Sequence, residues 1–146
     1  MSIESIRSLI APDMLAVDDV IRRNLYSDVA LVRQIGEYII GAGGKRLRPV
    51  LVLLSAGAFD YKGSAHHDLA AVVEFIHTAT LLHDDVVDES DLRRGRKTAN
   101  AMFGNAASVL VGDFLYSRAF QMMVKVGSMR VQEVLAEATN VIAEGE

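Results

Sequence analysis

The stretch from about His67 to about Ser90 is the longest uninterrupted helical pattern in this sequence, and it constrains the fold more than any other feature. Leu69, Val72, Val73, Ile76, Thr80 and Val87 recur with helical spacing and merge into a broad apolar face. A helix with so wide an apolar face must be covered on several sides, so the remainder of the chain has to supply packing partners.

Those partners read as more helices. Ile3, Ile6, Leu9 and Ile10, then Val17, Val20, Ile21 and Leu25, then Val32, Ile35 and Ile39 repeat at helical spacing, and Gly41 to Gly44 ends the third of these segments. Pro49 suits a helix first turn, and Val50 to Phe59 is almost wholly apolar, which predicts a helix buried on most sides, with a strand as the alternative because of its valines. After a loop from Arg93 to Lys97, Ala106 to Val126 predicts another buried helix. Ser128 is placed to cap a last one through Met129, Val131, Leu135, Ala138 and Ile142. The prolines are Pro12 and Pro49 alone, and no repeat or Ser/Gly-rich linker divides the 146 residues, so the reading is one all-α unit with a core drawn from 51% apolar residues. Gly145 is a candidate C-cap followed by a single residue. That last helix therefore lacks a convincing stop, and the chain is expected to be part of a longer protein.

Charge and composition remove several classes. Fifteen basic residues against 19 acidic ones give a net charge of -4, which offers no field for nucleic acid or an anionic membrane. The cysteine count of 0 excludes disulfides, thiolate metal sites and a cysteine nucleophile. The start lacks the layout of a signal peptide, and the longest uncharged run, Thr98 to Gly112, is too short and too broken to span a bilayer. A soluble, cytoplasmic protein is expected.

The chemistry concentrates at the carboxyl end of the long helix. Asp84, Asp85 and Asp88 form Asp-Asp-x-x-Asp, and helical geometry puts Asp84 and Asp88 on one face a turn apart. Clustered carboxylates repel unless a cation neutralises them, and an all-oxygen set favours Mg²⁺, which keeps coordination positions open for phosphate oxygens. Taken alone, such a run is an ordinary solvated acidic helix end; its neighbours change that. Downstream, Arg93, Arg94, Arg96 and Lys97 surround Gly95. Upstream, Gly41-Ala42-Gly43-Gly44-Lys45-Arg46-Leu47-Arg48-Pro49 joins a glycine turn, three cations and a helix start, and it is not a P-loop because the Gly-x-x-x-x-Gly-Lys-Ser/Thr pattern is missing. Two cationic clusters around one acidic cluster can hold two diphosphates, one mainly through a metal and one mainly through Arg and Lys.

Gly43 to Pro49, Glu74 to Asp88, Arg93-Arg94-Gly95 and Gly112-Asp113-Phe114-Leu115, in this order and spacing, resemble the trans-polyprenyl diphosphate synthases over nearly the whole chain. The likeness is greatest to the long-chain bacterial members that make the side chains of quinones such as ubiquinone. It implies an isoprenoid synthase-type helical bundle around a deep central cavity, here its amino-terminal helices over residues 1–146, and a homodimer. It further implies a prenyltransferase that condenses isopentenyl diphosphate with an allylic diphosphate, farnesyl diphosphate by expectation, into a long all-trans, octaprenyl-length product. Residue by residue, the resemblance assigns the isopentenyl diphosphate to Lys45, Arg48, His77 and Arg94, Mg²⁺ to Asp84 and Asp88, and the allylic diphosphate to Arg93, with Asp85 completing the acidic motif. His77 lies seven residues before Asp84 and so on nearly the same face, which suits that role. Ala79 and Thr80 occupy positions where short-product members carry bulky aromatics, so small residues here imply a long product; helix geometry supports Thr80, one turn below Asp84, more directly than Ala79. His66, His67 and His83 read as ordinary surface or core histidines, and Met102, Met122, Met123 and Phe120 as core filling.

The sequence departs from the family in one respect, since no second Asp-Asp-x-x-Asp lies between Asp88 and Glu146. Half of the expected metal site is therefore absent, and this chain alone is expected to be inactive. Two rivals stand beside the main reading. A non-catalytic regulatory subunit is one, against which the intact first motif argues. A class I terpene cyclase is the other, and it leaves Lys45, Arg48 and Arg94 unexplained.

Overall fold

The computed structural model describes residues 1–41 and 44–145, and within them the chain is helical almost throughout. In order it forms α1 (Ile3–Leu9), α2 (Ala11–Asn24), α3 (Ala30–Gly41), α4 (Leu47–Ala58), α5 (Ala65–Val87), β1 (Leu92–Arg93), β2 (Arg96–Lys97), α6 (Ala99–Phe103), α7 (Asn105–Val126) and α8 (Met129–Gly145). Among these described residues no helix is long and apolar enough to cross a membrane.

The long predicted helix is α5, and it is the centre of the packing. It lies along α7 and also touches α4 and α2. Ala70, Ala71, Val72, Phe75 and Ala79 of α5 have at most traces of exposed surface, as do Val111, Leu115 and Ala119 of α7. Small residues on both helices let the axes approach, while Phe75, fully buried, contributes about 1.5–3 kcal/mol of transfer free energy. Val17 and Ile21 from α2 and Ile35 from α3 complete the same core. Caps account for several boundaries. The Thr98 hydroxyl accepts from Ala101 N–H at 3.2 Å to start α6, and Ser128 accepts from Val131 N–H at 3.2 Å to start α8, as its position predicts. Gly127 at φ 76° ends α7.

Five sequence expectations need correction. The first apolar segment stops at Leu9, with Ile10 buried between α1 and α2, because Pro12 sits in the first turn of a new helix. Ile3 and Leu9, each 70% exposed, face solvent rather than a core. The helix over 47–58 is one-sided: Pro49, Val50 and Leu53 are buried while Leu47 and Leu51 are exposed, so an apolar run here does not report burial all round. The segment from Arg93 to Lys97 is a two-stranded hairpin, and a short helix, α6, follows where none is predicted. Gly145 lies within α8 rather than beyond it as a cap. The glycine turn expected over 41–44 lies partly outside the described residues, since Ala42 and Gly43 are not among them.

Candidate diphosphate and metal site

The hairpin determines where the basic residues go. Leu92 pairs with Lys97 and Arg93 with Arg96, which leaves Arg94 and Gly95 as a two-residue turn. Both have positive φ, 53° and 77°, the backbone of a type I′ turn. The hairpin is tied down at several points. The Tyr38 hydroxyl of α3 donates to the Lys97 carbonyl at 2.8 Å, and the Arg96 guanidinium lies over the Tyr38 ring, 4.7 Å from its centroid. Thr98 N–H donates to the Asp91 carbonyl at 3.0 Å, and Thr98 Oγ1 to the Ser90 carbonyl at 2.8 Å.

On the opposite side, Gly44 at φ 113° brings the backbone before α4 against the Arg94 guanidinium, so closely that a Cβ there would collide with Nη1. This contact joins the upstream and downstream cationic segments. Arg46 precedes α4 in the left-handed region, φ 49°, and its guanidinium forms an ion pair with Asp18 at 3.7 Å, longer than a hydrogen bond.

Between these walls lies a cavity of ≈ 580 Å³ whose lining includes Lys45, Arg46, Arg48, Glu74, His77, Asp85, Arg93 and Arg94. The four residues assigned to isopentenyl diphosphate are therefore brought to one space. His77 sits among guanidinium groups and half out of water. Burial above all, then the charges of Arg48, Arg94 and Arg93, push its pKa down to about 4. At neutral pH it is the neutral imidazole. Arg48 Nη1 lies 3.2 Å from His77 Nε2, and since a guanidinium can only donate, Nε2 accepts and the ring proton belongs on Nδ1.

Glu74 escaped the sequence reading. It stands one turn before His77 on the same face of α5 and lines the cavity, and its pKa is raised by burial, against the opposing pull of Arg46, Arg48 and Arg94. The i, i+3 spacing to His77 was the available signal.

The acidic motif divides in an unexpected way. Asp85 is buried and faces the first cavity, where Arg93 clamps it through two hydrogen bonds, Nη2 to Oδ1 at 2.7 Å and Nε to Oδ2 at 3.1 Å. This pair raises the pKa of Arg93. Asp84 lines a second cavity of ≈ 370 Å³, together with Val73, Ile76, Thr80, Leu135 and Ile142. Asp88 is the exposed C-cap, its N–H donating to the Asp84 carbonyl at 2.8 Å. The three carboxylates do not gather into one ligand set, because consecutive residues on a helix point about 100° apart and Asp85 is already committed to Arg93. Asp84 and Asp88 remain a turn apart, and among the described residues neither forms a salt bridge. Two hard oxygen ligands at a solvent-facing helix end suit Mg²⁺ or Ca²⁺.

Of the two product-length positions, Thr80 lines the second cavity below Asp84, with Oγ1 donating to the His77 carbonyl at 2.6 Å. Ala79 does not line it; it is fully buried in the core. Met122 and Met123 are buried in the core as expected, whereas Met102 and Phe120 are exposed.

The Polyprenyl synthetase family profile matches residues 29–146. Octaprenyl diphosphate synthase of Escherichia coli (strain K12) is 62% identical over 146 residues, covering 100% of this chain and 45% of the relative. A decaprenyl diphosphate synthase from Rhodobacter capsulatus has a crystal structure that superposes with a TM-score of 0.94 at 54% identity, over 97% of this chain and 44% of that one. The structure of a polyprenyl synthase from Caulobacter crescentus CB15, complexed with calcium and isoprenyl diphosphate, gives a TM-score of 0.95 at 50% identity, over 99% of this chain and 44% of that one. The chain thus spans a little under half the length of these relatives.

Proposed function

Because this chain belongs to the polyprenyl synthetase family, we propose that it is the amino-terminal part of a trans-prenyltransferase that condenses isopentenyl diphosphate with an allylic diphosphate. The observation that carries this reading is the joining of Lys45, Arg48, His77 and Arg94 in one cavity beside the helix end bearing Asp84, Asp85 and Asp88. A terpene cyclase has one diphosphate to hold and no use for the first group.

In the proposed reaction the carbon–oxygen bond of the allylic diphosphate breaks and diphosphate leaves. The isopentenyl double bond attacks the allylic cation, and the adduct loses a proton to the departing diphosphate, which restores a double bond. No protein nucleophile is needed. Lys45, Arg48 and Arg94 hold the isopentenyl diphosphate through their N–H donors, and His77 adds a neutral ring whose Nδ1–H donates. Arg93 meets the allylic diphosphate, and Asp85 fixes the orientation of its guanidinium. Asp84 and Asp88 would hold Mg²⁺, which would supply positive charge to the departing diphosphate. The apolar second cavity takes the growing hydrocarbon and keeps it from water. Thr80 leaves that cavity open, in keeping with a long product of octaprenyl length. A homodimer in the cytoplasm is the proposed setting.

The test is Asp84→Ala in a full-length synthase carrying this chain. Loss of Mg²⁺-dependent turnover with isopentenyl diphosphate binding retained is the expected result, and a near-normal rate would sink the assignment.

A further inference from the structure

At the other end of α5, three side chains meet that the diphosphate chemistry does not use. Asp13 is in the first turn of α2, and His66 and His67 are in the first turn of α5. The packing of α2 on α5 brings one carboxylate between two imidazoles: Asp13 Oδ1 lies 2.7 Å from His67 Nε2 and 3.6 Å from His66 Nε2. One potential ligand atom from each residue falls within 4.8 Å of the others. We propose that Asp13, His66 and His67 form a binding site for a divalent transition-metal ion of the zinc class, which staples the starts of α2 and α5.

The geometry fits such an ion with little movement. Bonds of about 2.0–2.1 Å in a tetrahedral site put neighbouring ligand atoms roughly 3.3 Å apart. The two observed separations, 2.7 and 3.6 Å, straddle that value, and the Asp13 side chain, 40% exposed, is free to make the small adjustment. The imidazoles are better fixed. They are 14% and 21% exposed, their ring centroids lie 4.1 Å apart, and the Tyr61 ring packs edge-on against His66 at 5.2 Å. Tyr61 is itself held by Ala65 N–H, which donates to its hydroxyl at 3.3 Å. His66 Nδ1 is buried with no hydrogen-bond partner, so no protein acceptor or donor fixes the tautomer of this ring and Nε2, the nitrogen that faces Asp13, can present its lone pair to an ion.

The donor set also selects the ion. Two imidazole nitrogens and one carboxylate oxygen suit Zn²⁺, Co²⁺ or Ni²⁺ and discriminate against Mg²⁺ and Ca²⁺. Three protein ligands leave a fourth position for water. The 17 residues from His67 to Asp84 span about 25 Å of helix, so this site and the carboxylate end of α5 do not share an ion.

The test uses the 146-residue chain with Co²⁺ as the probe, in excess Mg²⁺ so that the carboxylate end is occupied. The expected result is one Co²⁺ per chain with the visible absorption of a four-coordinate ion, displacement by Zn²⁺, and a thermal midpoint raised by Zn²⁺ but not by further Mg²⁺. His66→Ala, His67→Ala and Asp13→Asn should each weaken binding by at least about 100-fold, given that even an outer partner of a metal ligand is worth 10–100-fold. His83→Ala should bind as the parent does, and circular dichroism establishes that each variant is folded. Absence of the absorption bands, equal affinity in folded His66→Ala or His67→Ala, or loss of the ion to Mg²⁺ would each overturn the proposal. A plain Asp–His hydrogen bond without metal affinity gives the first of these results.

Discussion

Arg93→Ala isolates the contact on which the basic hairpin and the acidic helix end depend. In the parent, both oxygens of the Asp85 carboxylate accept from one guanidinium, and the Asp85 side chain is 8% exposed. Removing the partner of a fully buried ion pair costs about 3–5 kcal/mol, because the remaining charge is stranded. The Arg93 side chain is 39% exposed, so water screens its half of the pair and can reach the gap. The expected loss is therefore lower, about 2 kcal/mol, which for a chain of this size lowers the thermal midpoint by roughly 4–8 °C. Thermal and urea unfolding at pH 7, followed by circular dichroism, measure it. The decisive comparison is with Arg93→Ala/Asp85→Asn. An amide carries no charge to strand, so the double variant should recover about 1 kcal/mol or more relative to Arg93→Ala. A single variant within about 0.5 kcal/mol of the parent, or a double variant no more stable than the single, would refute the claim that Asp85 needs its cation.

Three other outcomes follow from the same geometry. His77 has its folded pKa lowered to about 4 from an ordinary 6.5, so the unfolded chain binds the extra proton first; its contribution is complete above pH 6.5 and is lost as pH falls from 6.5 to 4, and in a stability profile His77→Gln should flatten that window. In nuclear magnetic resonance titrations the His77 ring should stay neutral through pH 6 without ligand, and a ring that protonates near 6.5 would contradict its place among the guanidiniums. Gly44→Ala adds a Cβ at φ 113° against Arg94, and should cost about 1–3 kcal/mol and weaken isopentenyl diphosphate binding by calorimetry. Thr80→Phe in a full-length synthase should shorten the product, read by chromatography of the prenyl chains; unchanged length would detach Thr80 from the hydrocarbon path.

How much of this was legible in the sequence depended on the range of the signal. The centre of the fold was, because α5 and α7 owe their existence to local apolar periodicity and Ser128 to a local cap. The basic residues of the site were also legible as two clusters, since Lys45, Arg48 and Arg94 stand in short segments rich in glycine. What periodicity could not give was which sides of a helix find partners. Leu51 and Val50 are equally apolar, yet only Val50 is buried, and nothing between them in the chain distinguishes the two. The hairpin was missed because its strands are two residues each, held by Tyr38 from a distant helix rather than by strand propensity. The Asp85–Arg93 clamp and the meeting of Asp13 with His66 and His67 are tertiary events of the same kind. A histidine pair gives no sign in sequence of the carboxylate that a remote turn will bring to it.

The two cavities of the site share one wall. Thr78 and Asp85 of α5 border only the first, Thr80 and Asp84 only the second, and His77 and Leu81 border both. Position along this helix thus acts as an address. A larger side chain at residue 78 intrudes on the first, charged cavity and one at residue 80 on the second, whereas a change at residue 81 is felt by each. Variants that alter product length without disturbing diphosphate affinity should therefore be sought at Val73, Ile76 and Thr80, which border the second cavity alone and bear no charge.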